Sequence, residues 1–313
     1  MSASSSSAGL ARIRRIARGL VDSESRPRYV KAARDQARRA GNHLPSALRP
    51  PRPARTDGSC SICLSKHVYS KQATFAQDEK KSFLVQICRD CGYVANPDNF
   101  NDYTEYKSLD QFPVTARVGT EERRGREFHM AKMGVEILGG DSLDVMILGP
   151  GRSVDYKHVK KLPNVGSVRL GDVVELHDHP DFVNVLEKTN ARFDLVVASE
   201  VIEHFTDPGN DFPRLFKLLK KRGLLICSTN INDGTDLNKH NYLYIKGHTS
   251  YYSPRAIEWL AADNGMHFDF RVPIAATTFA GPRKRYVLFT KSDDRVADIA
   301  HYFGRHTFAP SET

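Results

Sequence analysis

Phe193-Asp-Leu-Val-Val-Ala-Ser-Glu-Val-Ile-Glu-His-Phe-Thr-Asp-Pro208 is the stretch on which the reading of this chain turns. Asp194 to Ala198 reads as a buried strand, and three ionisable groups, Glu200, Glu203 and His204, follow it abruptly. With a helix starting near Glu200, spacings of three and four residues put all three side chains on one face. They would then stand beside a strand's C-terminal end, the edge along which open α/β sheets bind ligands. An acid-rich first turn also suits the helix dipole. That alone explains neither the histidine nor the apolar run before it, so the stretch is a candidate functional site.

Working outward, strand and helix patterns alternate from about Ser142. Leu143-Asp-Val-Met-Ile-Leu148 is a short apolar strand running into Gly149-Pro-Gly-Arg-Ser153. A helical stretch to about Leu162 precedes a strand from Ser167 to Val173, which contains Asp172. After the Phe193 strand come a helix around Phe212 to Lys221 and a strand from Gly223 to Ser228. A further helix lies within His248 to Gly265, and Phe268–Pro273 with Arg285–Thr290 form a closing strand pair. This alternation predicts an α/β fold with a mostly parallel sheet covered on both faces. A glycine turn after the first strand lets backbone approach a nucleotide-like ligand, and an acid ending the second can take both hydroxyls of a ribose. Gly149, Gly151 and Asp172, with Ser199 at the end of the Phe193 strand, are the candidate cofactor contacts.

The 313 residues suit two domains, and 40% apolar content suffices for a packed core. No run of eighteen apolar residues occurs, so no membrane-spanning helix is expected. The net charge of +9 is unevenly placed: residues 1–56 hold 13 Arg/Lys against 3 Asp/Glu, leaving 33 against 34 for the rest. Within that basic tail, Leu10 to Leu20 has apolar residues at helical period and reads as a short amphipathic helix. Tyr29 to Ala40 is a second helical candidate, and Leu44 to Arg55, with four prolines, reads as an extended linker. No continuous apolar segment follows the charges, which argues against a secretory signal; the Arg- and Ser-rich composition also suits an organellar transit peptide. A cytoplasmic chain is expected, its solvated tail weakly touching anionic membrane or nucleic acid.

Four of the five cysteines form two pairs, Cys60-Ser-Ile-Cys63 and Cys88-Arg-Asp-Cys91, with 24 residues between them. Each two-residue gap lets a tight turn aim both sulfurs at one ion, and two such knuckles supply the thiolates of a closed tetrahedral zinc site. Gly92 can take the positive φ that such a turn often needs. Two disulfides would require an oxidising compartment that nothing in the sequence indicates. With no position left for water, the expected Zn2+ is structural. Cys227 sits in an apolar run and reads as a buried residue.

Glu200-Val-Ile-Glu-His-Phe-Thr-Asp-Pro208 resembles the motif that ends the fourth strand in one branch of the class I S-adenosylmethionine-dependent methyltransferases. Leu218-Leu-Lys-Lys-Arg-Gly-Leu-Leu-Ile-Cys-Ser-Thr229 is similar to that family's basic turn and fifth strand, and His248-Thr-Ser-Tyr-Tyr-Ser-Pro-Arg-Ala-Ile257 to a later helix. Cys88 to Pro97, then Tyr103 and Tyr106, resembles the zinc ribbon fused ahead of such domains in bacterial glycan and natural-product pathways. The resemblance covers about residues 58–292. It implies a Rossmann-like domain that binds S-adenosylmethionine. The domains expected are a basic tail and linker (1–57), a zinc ribbon (58–112), a methyltransferase domain (113–295) and a C-terminal tail (296–313). Two departures stand out. Ser153 replaces the family's third glycine, and Ile147 stands where the family has the acid that orients the cofactor's methionine amino group. Only 21 residues separate Asp172 from Asp194, which leaves little room for a third strand.

Methyl transfer from a sulfonium needs a positioned, deprotonated nucleophile, so orientation and removal of one proton are the protein's tasks. His204 and His248 are the base candidates, with Glu203 beside them in the motif. Glu200, Glu203, His204 and His248 also have the types and order of the metal-ligand set in small-RNA 3′-terminal 2′-O-methyltransferases. That likeness implies a catalytic divalent ion, for which manganese, iron or zinc suit better than magnesium. The acceptor expected first, from the fusion type, is a hydroxyl of a saccharide or other small molecule. RNA ribose 2′-O-methylation is the second reading, and a non-catalytic zinc-ribbon binding protein with a degenerate methyltransferase fold is the third.

Overall fold

The computed structural model describes residues 58–113, 115, 117–273 and 284–305. The two helices expected in the basic tail lie outside them. Two sheets carry the architecture. The smaller comprises β1 (Val68–Phe75), β2 (Asp78–Cys88), β3 (Val94–Ala95) and β9 (Ser250–Tyr251), paired in that order and antiparallel throughout. The larger has seven strands: β4 (Leu143–Leu148), β5 (Val165–Asp172), β6 (Val183–Asn184), β7 (Phe193–Ser199), β8 (Leu219–Asn230), β10 (His267–Arg271) and β11 (Lys284–Thr290). Their order is β10-β11-β8-β7-β4-β5-β6. Strands β4 to β8 pair in parallel, and β11 is antiparallel to both its neighbours. This is an α/β, Rossmann-like, mostly parallel sheet of class I methyltransferase order.

The central strands alternate their side chains between two cores, as a period of two requires. Val145, Ile147, Leu195, Val197, Leu224 and Ile226 enter one core. There they meet helices α1 (Arg126–Leu138) and α5 (Asp293–Arg305). Met146, Leu148, Val196, Ala198, Leu225 and Cys227 enter the other, under α3 (Pro208–Lys217) and α4 (Pro254–Asp263). A strand covered on both faces must be apolar along its whole length, which is why β7 shows no polar alternation. Gly134 brings α1 close to the sheet, since a Cβ there would stand 2.5 Å from Leu195 Cδ1. Gly139, at φ +57°, ends that helix with its N–H on the Val135 carbonyl.

Helix α1 was not foreseen, and the C-terminal segment expected as a tail forms most of α5. The expected helix after the glycine turn is the short α2 (Asp155–Val159). The third strand is reduced to the two residues of β6, as the short spacing foretold. No described helix is long and apolar enough to cross a membrane.

The cysteine segment is joined to the large domain by backbone. β3 pairs with β9, Val94 opposite Tyr251 and Ala95 opposite Ser250. Ser253, which caps α4 by accepting from the Ala256 N–H at 3.0 Å, also donates to the Cys91 carbonyl. Asn232 donates to the Gly92 carbonyl at 3.1 Å.

Candidate active site and cysteine centre

The C-terminal ends of β4, β5 and β7 open into a cleft of about 1440 Å³. Single-ligand pockets run to about 300–1,000 Å³, so this cleft has room for a cofactor and an acceptor together. Gly149 and Gly151 line it at φ +64° and +53°, the left-handed region that glycine enters without strain. A Cβ on Gly149 would stand 2.5 Å from Val201 Cγ2, so the first glycine of the turn is required by packing as well. Asp172 lines the same cleft at the end of β5, accepting from the Val173 N–H at 2.7 Å; burial lifts its carboxyl to about 6. Ser199 is buried at the end of β7, its hydroxyl 3.3 Å from that of Ser228. The four candidate cofactor contacts therefore line one cleft.

The ionisable cluster is built differently from the expectation. Glu200 has φ +57°, Ile202–His204 forms a single 3₁₀ turn, and the α-helix begins only at Pro208. One helical face therefore does not collect the three groups. Glu200 turns to Lys284, with which it is ion-paired, accepts from Ser228 Oγ at 2.7 Å and lies 3.8 Å from Arg126. Burial opposes its ionisation, but the two cations outweigh burial and hold its carboxyl below the usual range. Glu203 is fully buried and does not line the cleft. Its Oε1 accepts from the Tyr242 hydroxyl at 2.8 Å, and burial, then the charge of Glu200, pushes it up to about 8. His204 and His248 do line the cleft, their rings 5.0 Å apart. Burial lowers both, His248 to about 3.

Glu200, Glu203, His204 and His248 do not close on a common point. Among the described residues, the group of metal-ligating side chains that converges is Cys60, Cys63, Cys88 and Cys91. The expected second ion is thus not met by the geometry, and the physical reason is Lys284. An ammonium already pairs with the Glu200 carboxylate, and a divalent cation would have to displace it.

The cysteine centre has the opposite character. Its four Sγ atoms lie within 4.8 Å of one another. The closest approaches run across the knuckles, 3.6 Å for Cys60–Cys91 and 3.5 Å for Cys63–Cys88. A tetrahedron with Zn–S of about 2.3 Å has S–S edges of about 3.8 Å, so the donors fit that ion. Disulfides, with S–S of about 2.05 Å, are absent from all five cysteines. Hydrogen bonds from Cys63 and Cys91 hold the Cys60 thiol down at about 4, and the Cys91 thiol is pushed up in return.

Several groups at or beside the cleft are not among the site residues expected from the sequence. Lys284 is buried at the start of β11, within a basic run that reads as solvated surface. Arg126 and Glu127 come from the unforeseen α1, and burial lifts Glu127 to about 7. Ser153, in place of the third glycine, is buried and donates to Glu127 Oε2 at 3.0 Å. Tyr103, Tyr106 and Phe112 form an aromatic wall with ring centroids 4.8–6.1 Å apart. The Tyr103 hydroxyl lies 3.1 Å from His204 Nδ1.

Residues 129–268 match the family model described as a methyltransferase domain. The sheet order agrees with this match: the chain carries a methyltransferase domain. Similar solved structures include the Burkholderia thailandensis 1,6-didemethyltoxoflavin-N1-methyltransferase with 1,6-didemethyltoxoflavin and S-adenosylhomocysteine bound. It shares 19% identity over 53% of this chain and 79% of that one, with a TM-score of 0.41. The plantazolicin methyltransferase BpumL in complex with S-adenosylhomocysteine shares 12% identity over 52% of this chain and 80% of that one, with a TM-score of 0.37. Among curated proteins, no match to the sequence was found.

Proposed function

We propose that the chain methylates a hydroxyl of a saccharide or other small ring-bearing molecule, with His204 as general base. The observation that carries this reading is the His204 imidazole on the wall of the cleft shared with the glycine turn and Asp172, where burial disfavours its protonation. The cofactor supplies an electrophilic methyl group on a sulfonium. Gly149 and Gly151 let backbone approach it, and Asp172 accepts from its ribose hydroxyls. Tyr103, Tyr106 and Phe112 offer flat apolar faces on which an acceptor ring can stack, turned toward His204 by the Tyr103 contact. His204 then takes the hydroxyl proton as the oxygen attacks. His248, too reluctant a base at about 3, fills the wall behind it. Glu203 holds Tyr242 in place instead of touching the reacting atoms.

The RNA reading rested on the four-ligand metal set, and with Glu200 committed to Lys284 it loses its support. The cysteine centre holds a structural Zn2+ in this proposal, and the basic tail makes weak contacts with anionic membrane or nucleic acid. Isothermal titration with S-adenosylhomocysteine tests the cofactor site. Asp172→Asn should weaken binding more than tenfold, because it removes charge-assisted hydrogen bonds worth about 1.5–3 kcal/mol. No heat from the wild-type chain overturns the proposal.

A further inference from the structure

We propose that Asn99, contributed by the cysteine-bearing half of the chain, is a positioning residue that fixes the tautomer of His204. The inference rests on the reading of His204 as the base. His204 Nδ1 lies 2.8 Å from the Gly247 carbonyl oxygen. A carbonyl can only accept, so Nδ1 carries the hydrogen and Nε2 is left with the lone pair. The Tyr103 oxygen, 3.1 Å from the same nitrogen, shares that hydrogen as a second acceptor. A base held this way presents one defined nitrogen to its substrate, with no tautomer exchange before proton transfer.

The carbonyl that makes this choice is aimed by unusual backbone. Gly247 has φ +86°, and a Cβ there would stand 2.3 Å from the Tyr103 hydroxyl and 3.1 Å from His204 Nδ1. Its N–H donates to the Asn99 carbonyl at 3.0 Å. The Asn99 side-chain amide reaches the carbonyls on either side, Ile245 at 2.7 Å, Leu243 at 3.2 Å and His248 at 3.3 Å. An amide has two hydrogens for these three oxygens, so at least one contact is shared, and the Ile245 bond is the strongest. Asn99 is 6% exposed. It closes the turn Pro97–Asn99 directly after β3, the strand that follows the second cysteine knuckle. One buried side chain thus ties the segment Leu243–His248 to the cysteine half and, through Gly247, orders the imidazole of the methyltransferase half.

The test reads the histidine by long-range ¹⁵N–¹H NMR on the full chain, at a pH where His204 is neutral, with its signals identified by their loss in His204→Gln. The wild type should show a pyrrole-like Nδ1 and a pyridine-like Nε2. Asn99→Asp keeps the shape but removes the donors, and should shift His204 toward a mixture with the opposite tautomer. Its kcat should fall at least tenfold while the KM for S-adenosylmethionine is unchanged, a split that general loosening of the fold would not produce. If Asn99→Asp does not fold, Gly247→Ala, which displaces the same carbonyl, is read in its place. A wild-type His204 protonated at Nε2, or a variant with tautomer and kcat unchanged, overturns the proposal. Should the tautomer respond while no hydroxyl acceptor is ever methylated, Asn99 keeps its role and the function proposed for the cleft falls alone.

Discussion

At the scale of the residue, His204 is the group on which the proposed chemistry depends, and its neighbours prescribe its behaviour. Burial lowers its pKa below the ordinary histidine value of 6.5. The neutral form is therefore the resting form, and kcat/KM should rise with pH along a limb whose midpoint falls below about 6.5. His204→Gln should lower kcat by about 10²–10⁴-fold while S-adenosylhomocysteine still binds, since a lost base affects proton transfer alone. Because Glu200 is held by Lys284 and Arg126, turnover should be indifferent to chelators that leave the cysteine centre loaded. Abolition by such a chelator, with rescue by manganese, would restore the metal reading and remove His204 from its role as base.

At the scale of the element, the turn Ile202–His204 stores a titration of its own. Glu203 ionises at about 4.5 when exposed but keeps its proton to about 8 in the fold. The folded state thus binds more protons than the unfolded one across that window. The contribution of Glu203 to stability is fully present below about 4.5 and is lost as pH rises through about 8. The lowered histidines act in the opposite sense, so the variant must be compared with the wild type at each pH. Thermal midpoints measured between about pH 5 and pH 9 should show Glu203→Gln gaining on the wild type as pH rises; parallel curves would refute this account.

The same turn marks the limit of what sequence could disclose. β4 and β7 were legible because a strand buried on both faces must be apolar throughout, and nothing else makes that pattern so briefly. The left-handed Glu200 was not, because spacings of three and four suit a helix equally well. What sets that backbone is tertiary: Val201 packs where Gly149 has no Cβ, and Lys284 arrives from a strand more than eighty residues away. Lys284 and Arg126 could not be told from solvated surface charge, since their partner Glu200 lies in a different element. The placement of Gly149, Gly151 and Asp172 at the cleft was readable because it is set by local backbone and strand ends.

At the scale of the whole molecule, the two halves share strands and a site, so the metal proposal reaches the cleft. A Cys₄ zinc site forms together with its fold. Elemental analysis of the purified chain should find one zinc per chain, and Cys60→Ser or Cys88→Ser should lose it along with solubility. A metal-free chain that remains folded and active would show that the small sheet stands without the ion.

The pairing of β3 with β9 also sets an order of events during synthesis. Val94 leaves the ribosome long before Tyr251, its partner across the ladder. At about 5–20 residues per second, the interval is on the order of ten to thirty seconds. For that time the nascent knuckle has its cysteines but an unfinished sheet, with the β3 edge open to other chains. Early capture of the ion would shield the thiols, and a chaperone or a slow start downstream would shield the edge. Expression yield should then follow zinc supply during translation more closely than zinc added after lysis.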